Sequence, residues 1–135
     1  MEWRVKAIRG ATTASENTVQ AIREAVTELL TMLELYNPID PEQIISTTFS
    51  VTRDLNAAFP AAIARERPHW QEVPMIDLQQ MHVEGSLERC IRVLIHVNLP
   101  STAAAVHHTY LRQASKLRPE WSLAQLKRES NRSSV

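Results

Sequence analysis

Residues 90–97 read CIRVLIHV, the most strand-like run in the chain and the one on which the fold turns. Cys90, Ile91, Val93, Leu94, Ile95 and Val97 form a nearly continuous apolar series rich in β-branched side chains, which predicts a buried strand. Arg92 interrupts it. An unpaired guanidinium in such surroundings is destabilising by several kcal/mol, so Arg92 requires an anion: a carboxylate of the protein or a bound ligand.

Toward the N-terminus, residues 3–9 alternate as a strand, with Trp3, Val5, Ala7 and Arg9 on one face and Arg4, Lys6 and Ile8 on the other. Arg9 therefore points where the apolar residues point. Gly10 permits a turn, ATTASEN (11–17) supplies small polar residues, and Asn17 is the expected cap of a helix. Val19, Ile22, Val26, Leu29, Leu30 and Leu33 recur at helical spacing until Asn37-Pro38 stops them. Asp40-Pro41 reads as a cap and first-turn proline, and IISTTFSV (44–51) as a strand. A helical stretch around Ala61 to Arg67, carrying Arg65, lies between Pro60 and Pro68, and VPMIDL (73–78) gives a short third strand. Thr102 is placed to cap a last helix with Val106, Tyr110, Ala114 and Leu117 on one face, closed by Arg118-Pro119.

This order predicts an α+β domain over residues 1–123: a small mixed sheet with its helices packed on one face. The uncovered face then calls for subunit association. The serine-rich end, 124–135, is expected to be a mobile tail, although Trp121, Leu123 and Leu126 nearby are able to dock.

Composition narrows the function. Fifteen basic and fifteen acidic side chains cancel at a pI near 7.0, which argues against nucleic acid or an anionic membrane as partner. Two glycines leave no phosphate loop or dinucleotide fingerprint to write, and no apolar run is long enough to span a bilayer. A lone cysteine and a charged start, MEWRVKAIRG, fit a reducing compartment and point to the cytoplasm. The basic residues are twelve arginines against three lysines, which suits bidentate recognition of carboxylates.

Two inward arginines, Arg9 and Arg92, resemble a clamp for a dicarboxylate; ordinary internal salt bridges are the competing explanation. Asp77, ending the third strand, is either an acceptor in a cleft or a turn cap, and Tyr110 needs a partner for its hydroxyl. His107 and His108, adjacent on the expected helix, diverge by about 100° and do not converge on a metal. No serine elbow or cysteine nucleophile signature is present, so no covalent step is expected.

IRGATT (8–13), FPA (59–61) followed by ARE (64–66), WQEVP (70–74), Leu87-x-x-Cys90-Ile91-Arg92-Val93, and the pairs Tyr110-Leu111 and Leu117-Arg118-Pro119 occur in one order across almost the whole chain. Together they resemble the monofunctional chorismate mutases of the AroH class. The resemblance implies a homotrimer with a pseudo-α/β-barrel core and interfacial active sites, rearranging chorismate to prephenate without a cofactor. It gives Arg92 to the breaking ether oxygen, Arg9 and Tyr110 to the side-chain carboxylate, and Arg65 of a neighbouring subunit to closing the site. Phe59, Ala61, Met75, Ile76, Cys90, Leu117 and Arg118 complete the substrate-binding set it implies. Gln80 stands where that family commonly has a glutamate, and Asp77 where it commonly has a cysteine. The expectation is that Asp77 takes over the carboxylate role while Gln80 supplies a neutral hydrogen bond. Ala62 replaces a lysine frequent near the family's entrance. The alternatives are an imine or enamine deaminase of related trimeric architecture and a non-catalytic metabolite-binding trimer.

Overall fold

The structure, a computed structural model, describes residues 2–103 and 105–133. Five strands, β1 (Trp3–Thr13), β2 (Ile44–Val51), β3 (Met75–Gln79), β4 (Cys90–Pro100) and β5 (Thr109–Tyr110), form one mixed sheet in the order β3-β2-β4-β1-β5. β4 is central and antiparallel to both β1 and β2, whereas the outer strands β3 and β5 run parallel to their neighbours. The α+β class and the mixed sheet expected from the sequence are both present.

Burial along β4 alternates. Ile91, Val93, Ile95, Val97 and Leu99 are buried, while Arg92, Leu94, His96 and Asn98 are half-buried. The odd-numbered face meets helix α1 (Val19–Tyr36), whose Ile22, Val26, Leu29, Leu30 and Leu33 join the main core, together with the short α2 (Pro60–Ala64). Full burial contributes about 1.5–3 kcal/mol per large aliphatic side chain, so this layer dominates the stability of the fold. The even-numbered face carries no long helix. At one end of it Ala11, Tyr110 and Ala114 make a second small cluster with Leu87 and Trp121. Among the described residues no helix is long and apolar enough to cross a membrane.

Four local expectations are corrected. β1 does not stop at Gly10 but continues to Thr13, and Gly10 serves close approach instead of a turn. A Cβ there would lie 2.9 Å from a Leu33 methyl and 3.1 Å from Leu29 and Val93 methyls, so glycine lets α1 sit down on the sheet. The cap of α1 is Thr18, whose hydroxyl accepts from the Ala21 N–H, while Asn17 Oδ1 accepts from the Asn56 and Ala57 N–H groups. The helix expected around 61–67 is shorter, ending at Ala64 with Arg65 as its C-cap. The helix expected from Thr102 to Leu117 is absent: after a turn, residues 105–108 form an irregular segment leading to β5, then a 3₁₀ helix at Arg112–Lys116 and another at Pro119–Trp121. Of its regularly spaced residues Tyr110 and Ala114 are buried against Ala11 of β1, Val106 is half-buried against the main core and Leu117 is exposed, and left-handed Arg112 (φ 52°) breaks any helical path.

The polar end folds into helix α3 (Leu123–Ser133), with Leu126 buried, Leu123 against the main core and Trp121 against the small cluster. Residues 134 and 135 of the expected tail lie outside the described residues.

Candidate active site

Strand pairing decides which side chains meet. Ala11 stands opposite both Arg92 and Tyr110, Ser50 opposite Arg92, and Leu78 opposite Ser50. A line across the even face of β4 therefore reads Leu78, Ser50, Arg92, Ala11, Tyr110. At roughly 4.8 Å per strand, Arg92 and Tyr110 are about 10 Å apart with only the Ala11 methyl between them. Arg9, opposite Leu94, projects from the same face two residues along β1. The alternation read at residues 3–9 holds, but the face Arg9 shares with Trp3, Val5 and Ala7 is the one away from α1.

Three polar atoms on this face are buried and have no hydrogen-bond partner among the described residues: Arg92 Nε, Gln80 Oε1 and Tyr110 Oη. Gln80 lies one residue past β3, with its N–H still bonded to the Val51 carbonyl, so the alternation carries it to the Arg92 side. Buried donors and acceptors are nearly always satisfied, and two donors with an acceptor left open on one face form a cradle for a polar ligand. The other unpartnered hydroxyls, of Thr12, Thr47 and Thr109, belong to the helix side of the sheet by register. Arg92 is thus not closed off by an internal carboxylate; among the described residues it makes no salt bridge. Cys90, fully buried on the same face, has its thiol pushed up by burial, with the charge and hydrogen bond of Arg92 pulling part of the way back. It stays a neutral thiol and packs as a small wall residue. The start of β4 is anchored by Thr52, whose hydroxyl accepts from the Cys90 N–H, and by Asp54, which accepts from the Arg89 N–H.

The remaining candidates gather elsewhere. Asp77 pairs opposite Phe49 and so points to the helix side, away from Arg92. Its Oδ1 accepts from the Ala61 N–H at 3.0 Å, tying β3 to the first turn of α2. Burial raises its carboxyl above the ordinary aspartate range, opposed by the Ala61 N–H and by the Arg65 charge. A cavity of about 400 Å³ opens here, lined by Val51, Leu55, Phe59, Pro60, Asp77 and Leu78. Phe59 is 71% exposed at its mouth, Arg65 is exposed, Ala61 is buried, Met75 is half-buried, and Ile76 is exposed on the edge strand. One chain therefore holds two groups: Arg9, Gln80, Cys90, Arg92 and Tyr110 on the even face, and Phe59, Ala61, Arg65, Met75 and Asp77 around α2.

Leu117 and Arg118 follow the 3₁₀ helix Arg112–Lys116, and Arg118 sits over the Trp121 ring, 3.6 Å from its centroid, with its Nε on Glu120 at 2.7 Å. Arg9 reaches the same ring at 5.5 Å and the Tyr110 ring at 5.9 Å. His107 and His108 lie on the irregular segment, not on a helix, and serve as anchors. The buried Asn37 side chain donates to the Leu33 and His107 carbonyls and accepts from the His107 N–H, fastening α1 to this segment. His108 Nδ1 accepts from the Arg9 N–H at 2.9 Å, and its ring packs on Trp121. Sequence reading passed over Trp121 and His108 as site components. The signal available was an aromatic residue three positions after Arg118, in a segment taken for the edge of a tail.

Cationic side chains with unsatisfied donors on an open sheet face define the class: a small α+β protein with a candidate cradle for an anion. A sequence model of the family described as chorismate mutase type I matches residues 5–121. The chain belongs to that family. It is 38% identical over 119 residues to chorismate mutase AroH of Bacillus subtilis, covering 88% of this chain and 94% of that one. It is 43% identical over 122 residues to chorismate mutase AroH of Thermus thermophilus, covering 90% and 99%. Among solved structures it superposes on a chorismate mutase from Clostridium thermocellum with a TM-score of 0.77 at 41% identity, covering 82% of this chain and 98% of that one.

Proposed function

We infer that this protein is an isomerase of aromatic amino acid biosynthesis that converts chorismate to prephenate. The reaction is an intramolecular Claisen rearrangement, so the protein needs no nucleophile; it holds the substrate compact and stabilises the charge that develops. Negative charge grows on the ether oxygen as its bond to the ring breaks, and a fixed cationic donor there acts chiefly on the transition state. Arg92 takes that role. Arg9 and Tyr110 bind the side-chain carboxylate, and the orientation they impose supplies part of the rate. The observation that carries this reading is the unpartnered Nε of Arg92, facing away from the core between Ala11 and Ser50, two side chains small enough to leave room for a substrate.

The two residue groups support a shared site in a homotrimer. Asp77 and Arg92 lie on opposite sides of one sheet, so they meet only when the α2 group of one subunit approaches the even face of another. In this arrangement Phe59, Ala61, Arg65, Met75 and Asp77 come from the neighbouring subunit, Ile76 lies by register on the Arg92 side of the sheet, and Leu117 and Arg118 flank the site. Gln80 accepts from the substrate hydroxyl as a neutral group, and the Asp77 carboxylate faces the positive charge developing on the ring. The setting is the cytoplasm.

The test is the disappearance of chorismate with purified protein and no added metal or cofactor. Turnover to prephenate that collapses in Arg92→Ala supports the reading; binding without turnover would move a metabolite-binding role to the front. The deaminase alternative needs a water-activating group beside Arg92, and its sheet row of Leu78, Ser50, Ala11 and Tyr110 supplies no histidine or carboxylate.

A further inference from the structure

We propose that Trp121 is a positioning residue, whose indole holds the guanidinium groups of Arg9 and Arg118 side by side as one receptor for a substrate carboxylate. The proposal rests on the chorismate mutase reading and adds to it a residue that no motif singled out.

Arg118 lies 3.6 Å above the ring centroid and Arg9 5.5 Å from it, so both cations share one ring although 109 positions separate them in the chain. Two guanidinium groups drawn to one ring repel each other, and the electron-rich indole offsets the repulsion. A stacked guanidinium also keeps its N–H groups free in its own plane, where a carboxylate is gripped by two parallel bonds. A salt bridge would hold the arginines equally well but would occupy those donors.

The surroundings fit a receptor awaiting its anion. Among the described residues Arg9 has no carboxylate partner, and Arg118 has only Glu120, two positions away and more than half exposed. Glu120 meets the Arg118 Nε at 2.7 Å, which demonstrates that this edge accepts a carboxylate, and an exposed pair so close in sequence is readily exchanged. His108 completes the assembly: its ring centroid is 4.3 Å from that of Trp121 and its Nδ1 accepts from the backbone N–H of Arg9, fixing the root of that side chain to the same hub. Tyr110 meets Trp121 edge-on at 5.5 Å, so the hub joins the sheet row that contains Arg92.

A receptor of this kind binds the carboxylate alike in the ground and transition states, so its loss falls on KM and spares kcat. Trp121→Leu is expected to raise KM about tenfold with kcat within about twofold, and Trp121→Phe, whose ring face attracts cations less, to raise KM about threefold. As a readout independent of turnover, prephenate is titrated while tryptophan fluorescence is followed; the signal change expected in the parent should vanish in Trp121→Phe, although Trp3 and Trp70 remain. Thermal melting of each variant establishes folding, and if Trp121→Leu does not fold, Trp121→Phe decides. A folded variant with unchanged KM, or a fluorescence change that persists in Trp121→Phe, overturns the clamp. Loss of kcat at unchanged KM also overturns it. If the parent fails to turn over chorismate yet prephenate still perturbs Trp121, the reaction assignment falls and the receptor stands; with neither turnover nor a fluorescence change, both fall.

Discussion

Arg92 is flanked on its sheet row by Ala11 and Ser50, and this pairing of one large cation with two small neighbours gives the site its room. Removing the donor with Arg92→Ala is expected to lower kcat about 10²- to 10³-fold, measured as chorismate loss under saturating substrate. Asp77 permits a cleaner separation of roles, because an asparagine keeps the oxygen that accepts from the Ala61 N–H and loses only the charge. Asp77→Asn should therefore melt within a few degrees of the parent while kcat falls about tenfold or more; retention of full activity would exclude Asp77 as the relocated carboxylate. Arg92 was legible in the sequence because a charge inside an apolar run breaks a pattern that physics enforces. Arg9 was legible too, by the same face-sharing, although alternation tells which residues share a face but not which face the helices cover. Trp121 and His108 were not legible as partners of Arg9, since their contacts join positions about a hundred residues apart and leave no local spacing to read.

At the level of elements, strands β2 and β4 and helix α1 could be read directly, because burial on one or both sides writes a period of two or of 3.6 into their sequences. Gly10 misled for a definite reason. Glycine marks either a turn or a close approach, and only the position of Leu33 and Leu29 above β1 distinguishes them. Gly10→Ala should consequently cost about 1–2 kcal/mol through overpacking, seen as a melting point lower by roughly 3–8 °C. The stretch around β5 misled because Tyr110 and Ala114 are buried from a short edge strand and a 3₁₀ turn, and such burial only mimics the helical period. It also carries a pH dependence. Burial, and then the charges of Arg9, Arg118 and His107, push His108 below the ordinary histidine value. The unfolded chain thus binds a proton more readily, so stability should be undiminished above about pH 6.5 and decline as pH falls through that value toward the lower folded pKa. Melting curves between pH 8 and pH 5 should show this loss in the parent and less of it in His108→Asn.

For the whole molecule, the proposed division of the site between two sides of one sheet predicts an obligate assembly. Light scattering should give three times the 15.4 kDa chain mass, and an active monomer would remove the case for a shared site. Hybrids give a sharper measure. Arg92→Ala and Asp77→Asn chains, each impaired alone, should recover about a quarter of parental activity when refolded together in equal amounts, because random mixing leaves that share of interfaces with both intact halves. The sequence carried this expectation only through resemblance and an uncovered sheet face; the register that separates Asp77 from Arg92 became visible only with the strands paired. The buried Asn37 joint has a consequence on a slower timescale. Asparagine ages chemically when the next backbone nitrogen attacks its side-chain carbonyl and expels ammonia, but here that nitrogen belongs to Pro38 and carries no proton to lose. The joint that carries α1 to the histidine segment is thereby built from an amide that resists deamidation, and the anchor behind Arg9 does not loosen as the protein grows old.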